Sequence, residues 1–188
     1  MNLPTWITLS RLAGIPFLLV LLQFSEPQLS TIQFSPSQPA ALSLRWWAVA
    51  LFGLIATTDW LDGYLARRLN QVTELGKFLD PLVDKLMVMA PLLALLAEGR
   101  LPVWGVFLIL AREVAIAGWR VSQPQISGAN LWGKLKTVSQ IAAILLLMAP
   151  LPDPGAKIGQ VAFWISVILT LGSGLIYLLP TGEAEVTA

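Results

Sequence analysis

Residues 59–84 read DWLDGYLARRLNQVTELGKFLDPLVD. Four carboxylates, Asp59, Asp62, Asp80 and Asp84, lie here between two strongly apolar stretches. Asp59 and Asp62 are three residues apart, and Asp80 and Asp84 are four apart, so each pair shares one face of a helix. Two helices joined by a polar turn near Asn70 to Glu74 bring all four acids together. Clustered carboxylates repel, and they stay ionised together only if cations are present. The pattern is that of a divalent-metal site built from oxygen ligands.

Composition sets the surroundings of this stretch. The chain has 188 residues, 56% hydrophobic and only 12% charged, with mean hydropathy +0.72. Soluble domains are about a quarter charged, so this chain has too little charge to cover a water-facing surface. The reading is an all-α integral membrane protein of one domain, residues 1–180, followed by a short acidic tail, 181–188. There is no cysteine and no histidine. Thiolate metal sites and disulfides are therefore excluded, and a general base has to be a carboxylate, or a Lys or Tyr with a shifted pKa. The net charge of +1 says nothing about nucleic acid, and none is expected as a partner.

Six apolar segments of about twenty residues match the thickness of a bilayer core. They run Ile7–Phe24, Trp46–Ala66, Phe78–Ala97, Leu101–Val121, Leu131–Met148 and Gly159–Leu179. The expected architecture is a six-transmembrane-helix bundle with a short interfacial lead, Met1–Trp6. The start of the chain lacks a basic region with a small-residue cleavage site, so the first segment reads as a retained span. Pro16 predicts a kink there, and Arg11 is placed to reach the interface. Ser25–Ser43, with Pro27, Pro36 and Pro39, reads as a loop. Glu98-Gly99-Arg100 reads as a tight turn, and Ala149–Ile158, with three prolines, as another.

Orientation follows from Lys and Arg between the spans. One side collects Arg11, Arg67, Arg68, Lys77, Arg120, Lys134 and Lys136; the other has Arg45, Arg100 and Lys157. The basic side is expected in the cytoplasm, with both termini and all four acids. Acids near span ends also cap helices or pair with cations such as Arg67, Lys77 or Lys85. Four at this spacing argue for a functional site, because ionisable groups within spans are costly. Gly63, Ala66 and Gly76 leave room for a flat or phosphorylated ligand, or for close helix packing. Arg67 offers a fork that matches phosphate oxygens.

The pattern Asp59-x2-Asp62-Gly63-x2-Ala66-Arg67-x8-Gly76-x3-Asp80-x3-Asp84 resembles the full signature of the CDP-alcohol phosphotransferase family, with every fixed position present. The six-span layout is similar too. Within that family the likeness is greatest to members that use sn-glycerol 3-phosphate. It rests on Asn2, Pro4, Thr8 and Arg11, on Arg112-Glu113, and on Gly133-Lys134-x-Lys136-Thr137. The resemblance implies transfer of a phosphatidyl group from CDP-diacylglycerol to sn-glycerol 3-phosphate, with release of CMP. It implies two Mg2+ or Mn2+ ions held by Asp59, Asp62, Asp80 and Asp84, with Asp84 as the base. Gly63, Arg67, Thr73 and Gly76 line the nucleotide, and Arg112, Lys134, Lys136 and Thr137 bind the acceptor's phosphate. A homodimer in the cytoplasmic membrane is also implied.

Other readings of these residues stand beside this one. Lys134 and Lys136 also suit anchoring at the membrane surface, and Arg112 also suits a structural pair with Glu113 or with an acid across the bundle. A sister enzyme with inositol phosphate, serine or a lipid alcohol as acceptor shares the motif, although an uncharged acceptor needs no basic cluster. A cation-coupled transporter predicts acids at the midplane and related halves, which the sequence does not display. A scaffold does not need four acids at fixed spacing.

Overall fold

The computed structural model describes residues 3–25, 38–69, 74–122 and 131–178, with side chains described at 6–25, 39–58, 79–119 and 133–174. The described residues form six α-helices: α1 (Leu3–Ser25), α2 (Gln38–Leu69), α3 (Glu74–Ala97), α4 (Val103–Ser122), α5 (Leu131–Met148) and α6 (Gly155–Leu178). Among them there is no strand, and the fold is all-α.

Helix ends differ from the sequence expectations in ways that proline explains. Pro lacks only an N–H that a first helical turn does not use, so it opens helices well. Accordingly α2 starts at Gln38, just before Pro39, inside the stretch read as loop to Ser43. Likewise α1 starts at Leu3, before Pro4, so most of the expected interfacial lead is helical. α6 starts at Gly155, within the stretch read as a turn to Ile158. Pro16 lies inside a continuous α1. The turn at Glu98-Gly99-Arg100 is as read. Gly99 has φ of 71°, and its N–H donates to Leu96 O at 3.0 Å while Arg100 N–H donates to Leu95 O at 3.0 Å. Those two bonds satisfy carbonyls that a helix end leaves open, and the left-handed φ suits a residue without a Cβ.

The turns at 98–102 and 149–154 reverse the chain, and contacts between the remaining helices show that one end of the bundle gathers the starts of α1, α3 and α5 and the ends of α2, α4 and α6. The 59–84 motif lies at this end. The packing has two parts. α1 packs against both α2 and α3, and α6 packs against α4 and α5. α1 thus touches both motif helices. Close approach is made possible by glycine. A Cβ on Gly105 would lie 2.6 Å from Phe163 Cε1 between α4 and α6, and one on Gly14 would lie 3.1 Å from Ile55 Cδ1 between α1 and α2. Small residues at such crossings let van der Waals contact drive association in lipid.

Three stretches, Trp6–Ser25, Pro39–Thr58 and Gly155–Gly174, are each 20 residues long and apolar enough to cross a membrane. At 1.5 Å per residue that is about 30 Å, the depth of the hydrocarbon layer. Leu54, Trp104, Phe107 and Ile168 face outward, while Arg11, Arg45, Lys136, Gln140 and Thr170 are buried. An apolar exterior around buried charge is the distribution a bilayer selects. This is a membrane protein.

The end opposite the motif is closed by a charged knot. Arg45, 3% exposed, sends NH1 and NH2 to the two oxygens of Glu98 at 2.8 and 2.6 Å. Its Nε donates to Met148 O at 2.7 Å. Arg100 Nε lies 3.1 Å from the same Glu98, and its NH1 donates to Leu147 O at 3.1 Å. Gln160 Nε2 donates to Arg100 O at 2.6 Å. Arg45 had been counted among the cations between spans. It lies instead inside α2, buried against an acid, and so is not a loop charge of the kind that sets orientation.

Candidate active site

At the motif end α1 and α3 run parallel, and two hydrogen-bonded pairs join them. Thr8 and Arg11 are three residues apart on α1, and Asp80 and Asp84 are four apart on α3, so matched faces meet. Thr8 Oγ1 donates to Asp80 Oδ1 at 2.7 Å. Arg11 NH1 donates to Asp84 Oδ1 at 3.3 Å. Thr8 and Arg11 are buried, whereas Asp80 is exposed and the Asp84 side chain is 50% exposed. The α1 groups therefore form a floor that fixes two carboxylates facing outward.

The sequence reading had given Thr8 and Arg11 no role in the site, and Arg11 was expected to reach the interface. Arg11 is instead turned inward, 4% exposed, onto an acid 73 positions away. An arginine inside an apolar span needs an acceptor within the bundle, and the three-residue spacing from Thr8 was the available signal. Neither feature says which helix supplies the partner.

Asp59, Asp62, Gly63 and Arg67 lie on α2 and Gly76 on α3, all outside the residues whose side chains are described. Thr73 lies outside the described residues altogether. The structure thus places Asp80 and Asp84 on one outward-facing stretch of α3, and the other motif positions stand on sequence. The donors fit a hard cation. They are all carboxylates, in a chain without cysteine or histidine, and hard divalent ions take oxygen ligands. A carboxylate oxygen that accepts one hydrogen bond keeps a second lone pair, so Thr8 and Arg11 orient the acids without exhausting them.

A second charged group joins α4, α5 and α6. Lys136 Nζ donates to Glu113 Oε1, and Arg112 NH1 donates to the same oxygen at 3.3 Å. Arg112 NH2 donates to Ser173 Oγ at 3.0 Å. The Arg112, Lys136 and Glu113 side chains are 9, 10 and 16% exposed. Gln140 Nε2 donates to Thr170 Oγ1 at 2.9 Å, extending the polar layer across α5 and α6. Of the four expected acceptor contacts, the structure brings Arg112 and Lys136 together around Glu113. Lys134 is exposed on the first turn of α5, and the Thr137 hydroxyl donates to Gly133 O of its own helix at 3.1 Å.

Comparison with known proteins places the chain in a family. The CDP-alcohol phosphatidyltransferase family model matches residues 1–172. The chain is similar to three proteins named CDP-diacylglycerol–glycerol-3-phosphate 3-phosphatidyltransferase. The Bacillus subtilis protein is 38% identical, over 100% of this chain and 98% of its own length. The Sodalis glossinidius protein is 36% identical, over 95% of this chain and 93% of its own. The Rickettsia bellii protein is 32% identical, over 94 and 93%. With the complete motif, the exposed α3 acids and a match over nearly the whole chain, the protein belongs to the CDP-alcohol phosphatidyltransferase family.

Proposed function

We propose that the protein transfers the phosphatidyl group of CDP-diacylglycerol to sn-glycerol 3-phosphate, giving phosphatidylglycerol phosphate and CMP. The observation that carries this is near-full-length similarity, at 32–38% identity, to proteins named for that reaction. The motif and the closely placed Arg112 and Lys136 support the same reading, since a phosphorylated acceptor needs cations and an uncharged one does not.

In this reading Asp84 takes the proton from the attacking hydroxyl of the acceptor, and Arg11 holds Asp84 in register. The hydroxyl oxygen bonds to the phosphorus that carries diacylglycerol, and the bond from that phosphorus to the CMP phosphate oxygen breaks. Asp59, Asp62, Asp80 and Asp84 would hold two Mg2+ or Mn2+ ions. Bound there, the ions supply neutralisation of the pyrophosphate and of the charge developing on CMP. Gly63, Arg67, Thr73 and Gly76 line the nucleotide, and Arg112, Lys134, Lys136 and Thr137 receive the acceptor's phosphate.

All six helices cross the membrane in this account, as residues 1–180 of a single domain. The motif end faces the cytoplasm, because Arg67, Arg68, Lys77, Arg120 and Lys134 lie towards it and Arg45 no longer counts for the other side. The working unit is a homodimer, which cross-linking in native membranes tests. The reaction itself is tested with purified protein, CDP-diacylglycerol and Mg2+ or Mn2+, following CMP release with different acceptors. sn-Glycerol 3-phosphate is expected to support turnover, and serine and inositol phosphate are not. Asp84→Asn is expected to reduce turnover by about 100- to 10,000-fold, the range of general base catalysis. Wild-type turnover in that variant contradicts the role of Asp84.

A further inference from the structure

We infer that Lys85 binds the phosphate of CDP-diacylglycerol that carries the diacylglycerol. This rests on reading the motif end as the CDP-diacylglycerol site.

Lys85 follows Asp84 on α3. The neighbouring acids offered it a partner, yet among the described residues Lys85 makes no ion pair and no hydrogen bond. It is partly buried, and its Nζ is not one of the polar atoms sealed inside the protein. Its charge is therefore open to a ligand.

Its place on the helix says which ligand. Val83 and Met87, 1 and 2% exposed, mark the side of α3 that faces the bundle, and Leu82 and Leu86, 46 and 43% exposed, mark the side that faces lipid. Each residue turns a helix by about 100°, so Lys85 stands between Asp84 and Leu86, where the acidic face gives way to the lipid face. Its depth follows from α1. Arg11 meets Asp84 across the parallel helices, so the two are level. Trp6 opens the apolar span of α1, and Arg11 lies about 8 Å further along at 1.5 Å per residue. The Lys85 backbone is thus inside the apolar layer, where an ionisable group is costly and marks function. A helical side chain leans towards the start of its helix, which carries the ammonium back to the level of Asp80 and Asp84.

An anion that meets Lys85 has to come from the bilayer and end beside the acids. In CDP-diacylglycerol the phosphate next to the glycerol does so, because the acyl chains stay in lipid while the pyrophosphate reaches the acidic face. The CMP phosphate lies on the far side of it from the lipid margin. An ammonium, a compact charge with three donors, suits the free oxygens of such a phosphate.

The experiment titrates CDP-diacylglycerol, CMP and phosphatidylglycerol into purified wild-type protein, Lys85→Met and Lys85→Arg, in nonionic detergent with Mg2+. Lys85→Met is expected to bind CDP-diacylglycerol about tenfold more weakly, the loss of one charged contact. CMP, which lacks the lipid phosphate, should bind within about twofold of wild type, and Lys85→Arg, which keeps the charge, should recover most of the loss. Unchanged CDP-diacylglycerol binding in Lys85→Met overturns the inference, and so does an equal loss for CMP, which moves Lys85 to the nucleotide. If phosphatidylglycerol binding falls as much as that of CDP-diacylglycerol, Lys85 serves bulk anionic lipid, and the inference is overturned too. If wild-type protein binds neither CDP-diacylglycerol nor CMP, the proposed function falls, and this inference with it. Should Lys85→Met fail to fold, Lys85→Gln carries the same test.

Discussion

Two charged groups in this bundle have the same inventory and different settings. At the end opposite the motif, Arg45 and Arg100 share Glu98. Within α4, α5 and α6, Arg112 and Lys136 share Glu113. Each group has two cations and one carboxylate. In the first, both Glu98 oxygens are used and the surplus positive charge meets Met148 O and Leu147 O. Those carbonyls lie in the last turn of α5, where a helix leaves acceptors open and carries partial negative charge. The first group is therefore balanced by the fold. In the second, one oxygen of Glu113 accepts from both cations, and Arg112 also donates to Ser173 Oγ. The first is a knot completed by helix-end carbonyls, and the second is where the proposed acceptor phosphate would sit.

Substitutions should fall differently on the two. Arg45→Ala leaves Glu98 buried beside only Arg100, and losing one partner of a buried pair costs about 3–5 kcal/mol. A large drop in thermal unfolding temperature in detergent is expected, with unchanged specific activity in the fraction that stays folded; an unshifted unfolding curve breaks the comparison. Arg112→Gln should do the reverse. It leaves Glu113 paired with Lys136, so the unfolding temperature should fall less than in Arg45→Ala, while the KM for sn-glycerol 3-phosphate rises about 10- to 100-fold for a lost contact to a charged ligand. Reduced stability with an unaltered KM makes the two groups alike. Lys157→Ala is the baseline. Its ammonium is 3.9 Å from Asp153, with both side chains more than two-thirds exposed, and such pairs contribute about 0–1 kcal/mol. Neither unfolding nor KM should move detectably.

Much of this was legible in the sequence. Apolar segments gave six helices, and Glu98-Gly99-Arg100 announced the turn that ends α3. Asp80 and Asp84, four residues apart, were expected to share a face, and they do lie on one outward-facing stretch. What stayed hidden were partners far along the chain. Arg11 and Arg45 sit in apolar stretches, and helical periodicity tells which face a residue is on but not which helix that face meets. Their acids are 73 and 53 positions away. The motif drew attention to α2 and α3, whereas α1 packs against both, and the contacts that Thr8 and Arg11 make with Asp80 and Asp84 were not legible from the motif. The pairing of Arg112 with Glu113 was visible as adjacency, and the arrival of Lys136 on the same oxygen depends on α4 and α5 both packing on α6.

The central claim is that the α4–α5–α6 cluster reads the acceptor's phosphate. The most direct measurement is CMP release from CDP-diacylglycerol with sn-glycerol 3-phosphate or with glycerol, in the wild-type protein and in Lys136→Gln. The account predicts that wild-type protein strongly prefers the phosphorylated acceptor. In the variant that preference should shrink about tenfold or more, as expected for one lost charged contact, with the KM for CDP-diacylglycerol unchanged. An undiminished preference in Lys136→Gln would contradict it.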